Sequence, residues 1–214
     1  MQTTTRHRIA RITALVGVGM VALTGCSDLS TVIDDGAQST SSPAATSGSS
    51  AGAKYQRDAF GPAWADVDGN GCDTRNDILA RDLTDVTYKA GDDCVVASGT
   101  LHDPYTGKVI EFKRGRGTSK AVQIDHVVAL SDAWNDGADA WSDAKREQFA
   151  NDPDNLLAVD GPANNAKRDK DPSQWLPSNT SYQCDYTKHY IEVATRYELS
   201  IPDAVRATEA RVCG

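Results

Sequence analysis

The chain has few basic residues, few histidines and no closely spaced cysteine pair, and each shortage limits what the protein can do. Lysine and arginine total 22 against 30 acidic residues, so the formal net charge is −8 at pH 7. A protein this acidic is a poor non-specific binder of polyanions. Four histidines are present, and no C-x-x-C spacing occurs, which argues against a metal site built from thiolates.

The apolar run near the N-terminus is too short and too rich in glycine to indicate a membrane span. It is accompanied by three arginines and ends in small residues, so residues 1–25 have the pattern of a signal peptide. Residues 23–26, Leu-Thr-Gly-Cys, resemble a bacterial lipobox, which predicts a lipid-bearing Cys26 anchored at the outer face of the membrane. The alternative is an ordinary cleaved signal with a chance cysteine, and then a secreted protein.

The remaining cysteines are even in number, as expected of an exported chain. Cys72, Cys94, Cys184 and Cys213 predict two disulfides formed outside the cytoplasm. Four cysteines allow three pairings. We favour Cys72–Cys94 and Cys184–Cys213, because each of these bonds closes a loop of moderate length within one segment.

Residues 26–54 are mostly Ser, Thr, Ala and Gly, and such a stretch cannot bury enough apolar surface to become ordered. It predicts a disordered tether between the lipid anchor and one compact domain over residues 55–214. Loss of residues 1–26 removes three arginines and no acidic residue, which leaves a net charge of −11. The acidity of the exported chain has to be reconciled with any function on nucleic acid.

Hydrophobic spacing and turn residues predict an α+β fold with more helix than strand. Helices are expected over 73–83, 131–152 with a break near Gly137, 162–170, 181–199 and 202–213. Extended segments are expected over 94–101, 108–114, 121–130 and 155–161. The first two of these are joined by the turn residues 103–107, which predicts a β-hairpin.

The stretch Ile-Asp-His-Val-Val-Ala-Leu at residues 124–130 places an acid and a histidine side by side between apolar residues. One interpretation is a half-buried strand whose polar residues have only structural roles. The other is a metal ligand beside a general base, because a neutral imidazole is available near neutral pH. In an extended strand Asp125 and His126 point to opposite faces, so they do not meet one water molecule without a bend.

Further along the chain, Asn155 opens a short apolar strand and Asn-Asn-Ala-Lys-Arg-Asp (164–169) lies on the next predicted helix. This order of strand, strand and helix resembles the HNH, or ββα-metal, nuclease motif. The wider sequence over residues 124–177, and upstream from residue 57, is similar to secreted nuclease-like proteins related to the C-terminal domain of GmrSD-type restriction enzymes. The resemblance spans most of residues 57–213.

The resemblance implies a ββα-metal finger embedded in a mostly helical, disulfide-stabilised single domain that hydrolyses phosphodiester bonds. It implies that Asp125 binds a divalent metal while His126 activates water, which requires a bend or bulge at this end of the strand. Asn155 corresponds to the middle asparagine of the motif, which orients His126. The nucleic acid substrate is expected to be DNA rather than RNA, and no obligate protein partner is inferred.

The third motif position departs from the common pattern, because Asn164 stands where many HNH proteins have histidine. An oxygen-only ligand set of Asp125 and Asn164 suits magnesium or manganese better than nickel or zinc. Asn165 is the alternative ligand, since the phase of the helix is open. Lys167 or Arg168 shares the face of Asn164 and is expected to bind phosphate. The structural alternative is a core histidine, an Asn–Asn turn and a solvated basic helix face.

Two further clusters carry charge. Lys108, Lys113, Arg114, Arg116 and Lys120 form a basic strip before the Asp–His strand, which is either a site for a nucleic acid backbone or a charged hairpin edge. Residues 66–77 fit a calcium-loop template through Asp66, Asp68, Asn70, Gly71 and Asp77. For the second cluster we favour a turn leading into the 73–83 helix over a structural calcium site.

The sequence therefore predicts a lipid-anchored extracellular HNH endonuclease. A non-catalytic extracellular binding lipoprotein with the same fold is the main alternative, because of the asparagine at position 164 and the net negative charge. A hydrolase of cell-wall material would require a third acid or histidine ligand at usable spacing, and none stands out in the sequence.

Overall fold

Gly52 and residues 54–214 are described by the structure, a computed structural model, and within them two small antiparallel sheets alternate with short helices. The strands are β1 (Leu83–Tyr88), β2 (Val96–His102), β3 (Val109–Lys113), β4 (Val122–His126) and β5 (Leu156–Asp160). The α-helices are α1 (Thr74–Asp82), α2 (Leu130–Asn135), α3 (Asp143–Ala150), α4 (Gly161–Lys167), α5 (Gln183–Arg196) and α6 (Asp203–Cys213). The predicted mixed α+β class is confirmed.

The predicted signal peptide, Cys26 and nearly all of the predicted tether lie outside the described residues. Within the described part of the chain, no helix combines the length and the apolar character needed to cross a membrane.

The first sheet has the order β1–β2–β3. The predicted hairpin is confirmed, because β2 and β3 pair antiparallel and Asp103 N–H donates to Lys108 O across the turn. The sequence did not predict β1, because α1 passes into β1 at Leu83 with no intervening turn residue. Asp73 caps α1 by accepting from Asn76 N–H at 2.8 Å.

The second sheet pairs β4 with β5, and α4 follows β5 directly. The register runs from Val122–Asp160 to His126–Leu156 without a shift. The prediction of a bend at Asp125–His126 is therefore wrong, because β4 stays regular through His126. The extended segment is also shorter than predicted, since it ends at His126 and α2 begins at Leu130.

Both faces of β5 are buried, which explains its continuous apolar run. Leu156 and Ala158 join a core formed with α1 and the first sheet. Val159 joins a second core, built largely from the helices, and Leu157 packs against it. Alternate residues of a strand point to opposite faces, so one strand contributes to both cores. The β4–β5 pair is thus held from two sides.

The long helix expected over 131–152 is interrupted more extensively than predicted. It divides into α2, a 3₁₀ turn at Ala138–Ala140 and α3, with Gly137 at a φ of 126°. The buried Arg146 of α3 holds the interruption together, because its guanidinium donates to the carbonyls of Ala138 and Trp141 and of Ala59 near the start of the domain.

The disulfides join Cys72 to Cys94 and Cys184 to Cys213, which are the favoured pairings. The first connects the loop before α1 with the start of β2. The second connects α5 with α6 across a sequence separation of 29 residues.

Replacing Cys184 and Cys213 by alanine is expected to lower the free energy of unfolding by about 3–4 kcal/mol, because the unfolded chain regains the entropy of a loop of this length. Urea unfolding followed by circular dichroism measures the loss. A midpoint equal to that of the intact protein would show that α6 is held by packing alone.

Candidate active site

A buried ion pair fixes the centre of the site. Asp125 on β4 is 3% exposed and Lys167 at the end of α4 is 0% exposed. The Lys167 ammonium nitrogen lies 3.1 Å from both carboxylate oxygens of Asp125 and donates to the His126 carbonyl at 2.8 Å. The hydroxyl of Tyr105, in the β2–β3 turn, donates to Asp125 Oδ2 at 2.6 Å. Strand, helix and turn therefore meet at one carboxylate.

Burial raises the pKa of Asp125, whereas the charge of Lys167 and the hydrogen bond from Tyr105 act in the opposite direction. Burial, with the neighbouring Asp125 carboxylate, also raises the pKa of Tyr105 well above its ordinary value. Tyr105 therefore stays a hydrogen-bond donor. A buried carboxylate needs such partners, because the cost of removing a charge from water is several kcal/mol.

His126 is half-buried and has partners on the other side of the strand. Its Nε2 lies 2.8 Å from the carbonyl oxygen of Ala150, at the end of α3. A carbonyl only accepts, so Nε2 carries the proton and Nδ1 is the nitrogen with the free lone pair. The indole of Trp64 stacks on the imidazole at 6.1 Å between centroids and an interplanar angle of 13°. The hydrogen bond thus selects one tautomer, and the indole lies nearly parallel to the ring.

The environment keeps this imidazole neutral. Burial is the main cause that lowers the pKa of His126 to about 4. The positive charges of Arg57 and Lys167 also lower this pKa, whereas the hydrogen bond to Ala150 raises it. A neutral imidazole with a free Nδ1 lone pair is the form that can accept a proton from water.

Asn155 is 0% exposed and holds the chain immediately after His126. Its side chain accepts from Val128 N–H at 2.9 Å and donates to Val128 O at 3.3 Å. Its backbone carbonyl accepts from Val127 N–H at 2.8 Å. It therefore positions His126 through the backbone of residues 127–128. Within the described part of the chain, these hydrogen bonds go to the backbone after His126 and not to its imidazole.

A pocket of about 520 Å³ opens beside these residues, and we call it the His126 pocket. Its lining comprises Tyr55, Arg57, Ile124, Asp125, His126, Ala129, Leu130, Ser131, Asn164, Arg168 and Asp169. Asn164 lines it, whereas Asn165 lines a different pocket. The geometry thus places the first asparagine of the pair with Asp125 and His126, held by a 3.0 Å hydrogen bond from its Nδ2 to Gln123 Oε1.

Of the two residues predicted as alternatives for phosphate binding, Lys167 lies away from the pocket. Its ammonium group is fully buried and already paired with Asp125, so it does not reach the pocket. Arg168 is exposed and lines the pocket. Arg168 has a φ of 57°, so α4 ends at Lys167, three residues earlier than predicted. Because the backbone turns here, the side chains of Lys167 and Arg168 point in different directions.

Several residues of the site were not predicted from the sequence. Arg57 and Tyr55 line the pocket from the start of the domain, and Trp64 stacks on His126. Tyr105 was interpreted only as part of a turn, because its burial is visible only in the structure. The other three had no local signal, because only the folded chain brings them to β4.

The other charged clusters have defined contacts. Asp66 accepts from the N–H groups of Gly69, Asn70 and Gly71, which forms a turn before α1. Among the described residues, no group of three or more His, Cys, Asp or Glu side chains is arranged to hold a metal ion. A structural calcium at Asp66, Asp68 and Asn70 therefore stays a prediction.

The predicted basic strip is divided by the fold. Arg114 is used structurally, since its guanidinium donates to Val96 O and to Asn76 Oδ1. Lys108 lies 3.9 Å from Asp160. Lys113 and Lys120 line the second pocket, which also contains Asn165.

The antiparallel strands β4 and β5 followed by the short helix α4, with a histidine at the end of β4, give this part of the domain a ββα arrangement. The chain belongs to the family of GmrSD restriction endonucleases, C-terminal domain, which it matches over residues 73–204. It is also 39% identical over 155 residues to an uncharacterized secreted protein of Arthroderma benhamiae, an alignment that covers 72% of this chain and 71% of that protein. No solved structure matches significantly. The resemblance stated from the sequence is confirmed.

Replacing Lys167 by methionine is expected to destabilise the domain by about 3–5 kcal/mol, because it leaves the Asp125 charge buried without its partner. Adding Asp125→Asn to this variant removes the unpaired charge and should recover part of the loss. Urea unfolding of the two single variants and the double variant gives the coupling energy. Strictly additive losses would mean that the two residues do not stabilise each other.

Proposed function

We propose that this domain is an endonuclease that hydrolyses phosphodiester bonds of DNA, with His126 as the general base. The observation that supports the proposal most directly is the hydrogen bond from His126 Nε2 to Ala150 O. It assigns the free lone pair to Nδ1 in a ring that stacking on Trp64 holds in place. The description of the family as restriction endonucleases favours DNA over RNA as the substrate.

In this proposal His126 removes a proton from the attacking water at Nδ1, and the bond to Ala150 O stabilises the imidazolium that forms. Asn155 keeps the ring at the end of β4 by fixing the backbone of Val128. A base held in this manner contributes a factor of about 10²–10⁴ to the rate.

The scissile phosphate would be held by arginine. Arg57, near the start of the domain, and Arg168, directly after α4, both line the His126 pocket. A guanidinium matches the geometry of a phosphate with two parallel N–H donors. Asp169 lines the same pocket and offsets part of the positive charge of the two arginines. The pocket is therefore not a general site for polyanions.

The donor atoms of the residues present suit a hard divalent ion. Asp125 and the side-chain carbonyl of Asn164 would supply oxygen ligands, and Mg²⁺ commonly binds to one or two carboxylates together with water and substrate phosphate. Lys167 and Tyr105 already contact the carboxylate, but a carboxylate has about four lone-pair sites and can accept a further partner. Magnesium or manganese bound there would neutralise charge on the phosphate and the leaving oxygen.

A non-catalytic binding protein with this fold is the second candidate. It is favoured by one observation: both oxygens of Asp125 have partners within the protein. In that case Asp125 has only a structural role, and the His126 pocket binds nucleic acid without cutting it.

Replacing His126 by glutamine separates the two candidates. Glutamine keeps an N–H that can donate to Ala150 O but lacks the basic nitrogen, so we expect the rate of plasmid nicking with Mg²⁺ or Mn²⁺ to fall by about 100-fold or more. His189→Gln is the matched control, because His189 Nε2 likewise contacts a carbonyl, that of Asp154, outside the His126 pocket.

Supercoiled plasmid and a matched RNA are incubated with each metal and with a chelator. Nicking that requires metal, survives in His189→Gln and is lost in His126→Gln supports the endonuclease. Correctly folded wild-type protein that binds DNA and cuts neither substrate under any divalent ion would reject it and leave the binding protein.

We also propose that the protein acts outside the cell, anchored through lipid on Cys26. Two disulfides require an oxidising compartment, and the relative from Arthroderma benhamiae is described as secreted.

Changing Cys26 to serine is expected to move the protein from the membrane fraction to the culture medium, because the lipid attachment point is lost. Fractionation and mass spectrometry of the mature N-terminus measure this. Wild-type protein found in the medium with an unmodified N-terminus would contradict the anchor and leave simple secretion.

A further inference from the structure

A second pocket lies next to the His126 pocket and is not used by the proposed reaction. It has a volume of about 510 Å³, and we call it the Lys120 pocket. Its lining includes Glu111, Lys113, Lys120, Gln123, Pro162 and Asn165. These residues come from β3, the turn before β4, β4 itself and α4.

The two pockets share a wall. Gln123 lines the Lys120 pocket and Asn164 lines the His126 pocket, and a 3.0 Å hydrogen bond joins their side chains. The neighbours of these two residues line the opposite pockets. Ile124, next to Gln123, lines the His126 pocket, and Asn165, next to Asn164, lines the Lys120 pocket. The hydrogen-bonded side chains of Gln123 and Asn164 therefore link the linings of the two pockets.

The charge in the Lys120 pocket favours an anion. Lys113 and Lys120 are exposed, and the acid in the lining is Glu111, which accepts hydrogen bonds from Thr100 Oγ1 at 3.2 and 3.3 Å. In a chain with an excess of acidic residues, two lysines beside the His126 pocket form a local positive site. This arrangement reconciles the acidity of the protein with a polyanionic substrate.

The position of Lys120 is fixed by close backbone packing. A Cβ atom on Gly161 would lie 2.1 Å from the carbonyl oxygen of Lys120 and 3.3 Å from the side-chain nitrogen of Gln123. Glycine is therefore required at the start of α4. The helix that carries Asn164 and Asn165 is locked against the residue that carries the ammonium group.

We propose that the Lys120 pocket binds the backbone of the same nucleic acid strand that is cut in the His126 pocket, on one side of the scissile bond. The proposal rests on the endonuclease function proposed above. Lysines contact phosphates without reading sequence, which suits the positioning of a strand. The amides of Gln123 and Asn165 offer both donors and acceptors to a base or a sugar.

An anionic membrane surface is the other macromolecule that two lysines could contact. The lining of the pocket, with Pro162 and two amide side chains between the lysines, forms a recess that a single strand can enter. Gln123 and Asn164 connect it with the His126 pocket. A nucleic acid strand can occupy both pockets at once, whereas a membrane surface cannot. We therefore favour the strand.

The test compares Lys113→Ala/Lys120→Ala with a control of equal charge change, Lys89→Ala/Lys188→Ala, whose residues are exposed and line neither pocket. Fluorescence anisotropy with a single-stranded 20-mer is measured over a range of salt concentrations. The pocket variant should bind about 10-fold more weakly, and its log–log salt dependence should fall by about 1.4, as expected for two lost phosphate contacts. The control should bind within about 2-fold of wild type.

Hydrolysis of bis(p-nitrophenyl) phosphate completes the test, because this small diester can occupy the His126 pocket alone. Its rate should be unchanged in the pocket variant, whereas cleavage of long DNA below saturation falls with affinity. Equal loss of DNA affinity in both variants would overturn the proposal, since general charge would explain it. Loss of small-diester hydrolysis in a pocket variant that unfolds at the wild-type urea midpoint would also overturn it.

Vesicles containing anionic lipid provide the last arm. If the pocket variant loses vesicle binding and keeps its DNA affinity, the membrane is the ligand and the proposal fails. If the wild type hydrolyses neither the small diester nor DNA, the endonuclease function fails instead, and the anisotropy comparison still decides whether the Lys120 pocket binds the strand.

Discussion

The pairing of Asp125 with Lys167 is the interaction on which the rest of the site depends. It joins β4 to the end of α4, and the hydroxyl of Tyr105 adds the β2–β3 turn. Because both charges are removed from water, the carboxylate is stable only while these partners are in place. Lys167 also donates to the His126 carbonyl. The same ammonium group therefore fixes the backbone of the residue that we propose as the base.

The regular register of β4 separates two tasks that neighbouring residues perform. Asp125 points to the side of Tyr105 and Lys167, whereas His126 points to Ala150 and Trp64. The carboxylate thus does not assist the imidazole directly. Instead, burial and nearby positive charge keep the imidazole neutral, and a backbone carbonyl selects its tautomer. This division explains how an adjacent acid and base retain distinct roles without a bend in the strand.

The distribution of charge is compatible with the proposed action of an acidic protein on a polyanion. Arg57 and Arg168 border the His126 pocket, and Lys113 and Lys120 border the neighbouring one. Other basic residues are used within the protein: Arg114 and Arg146 donate to backbone carbonyls, and Lys167 is buried. Positive charge is thus available locally, and the excess of acidic residues elsewhere would limit adhesion to nucleic acid away from the site.

The sequence by itself determined several of the elements and the order of the motif. Turn residues and apolar spacing predicted the β2–β3 hairpin, β5 and α5, and loop length indicated the disulfide pairing, because these signals are local. Only the tertiary structure decided which of Asn164 and Asn165 lines the His126 pocket, and which of Lys167 and Arg168 is buried. Those choices depend on the phase of α4 against β4 and on a positive φ at Arg168, and Arg57, Trp64 and Tyr105 reach the site through contacts between distant segments that leave no local pattern.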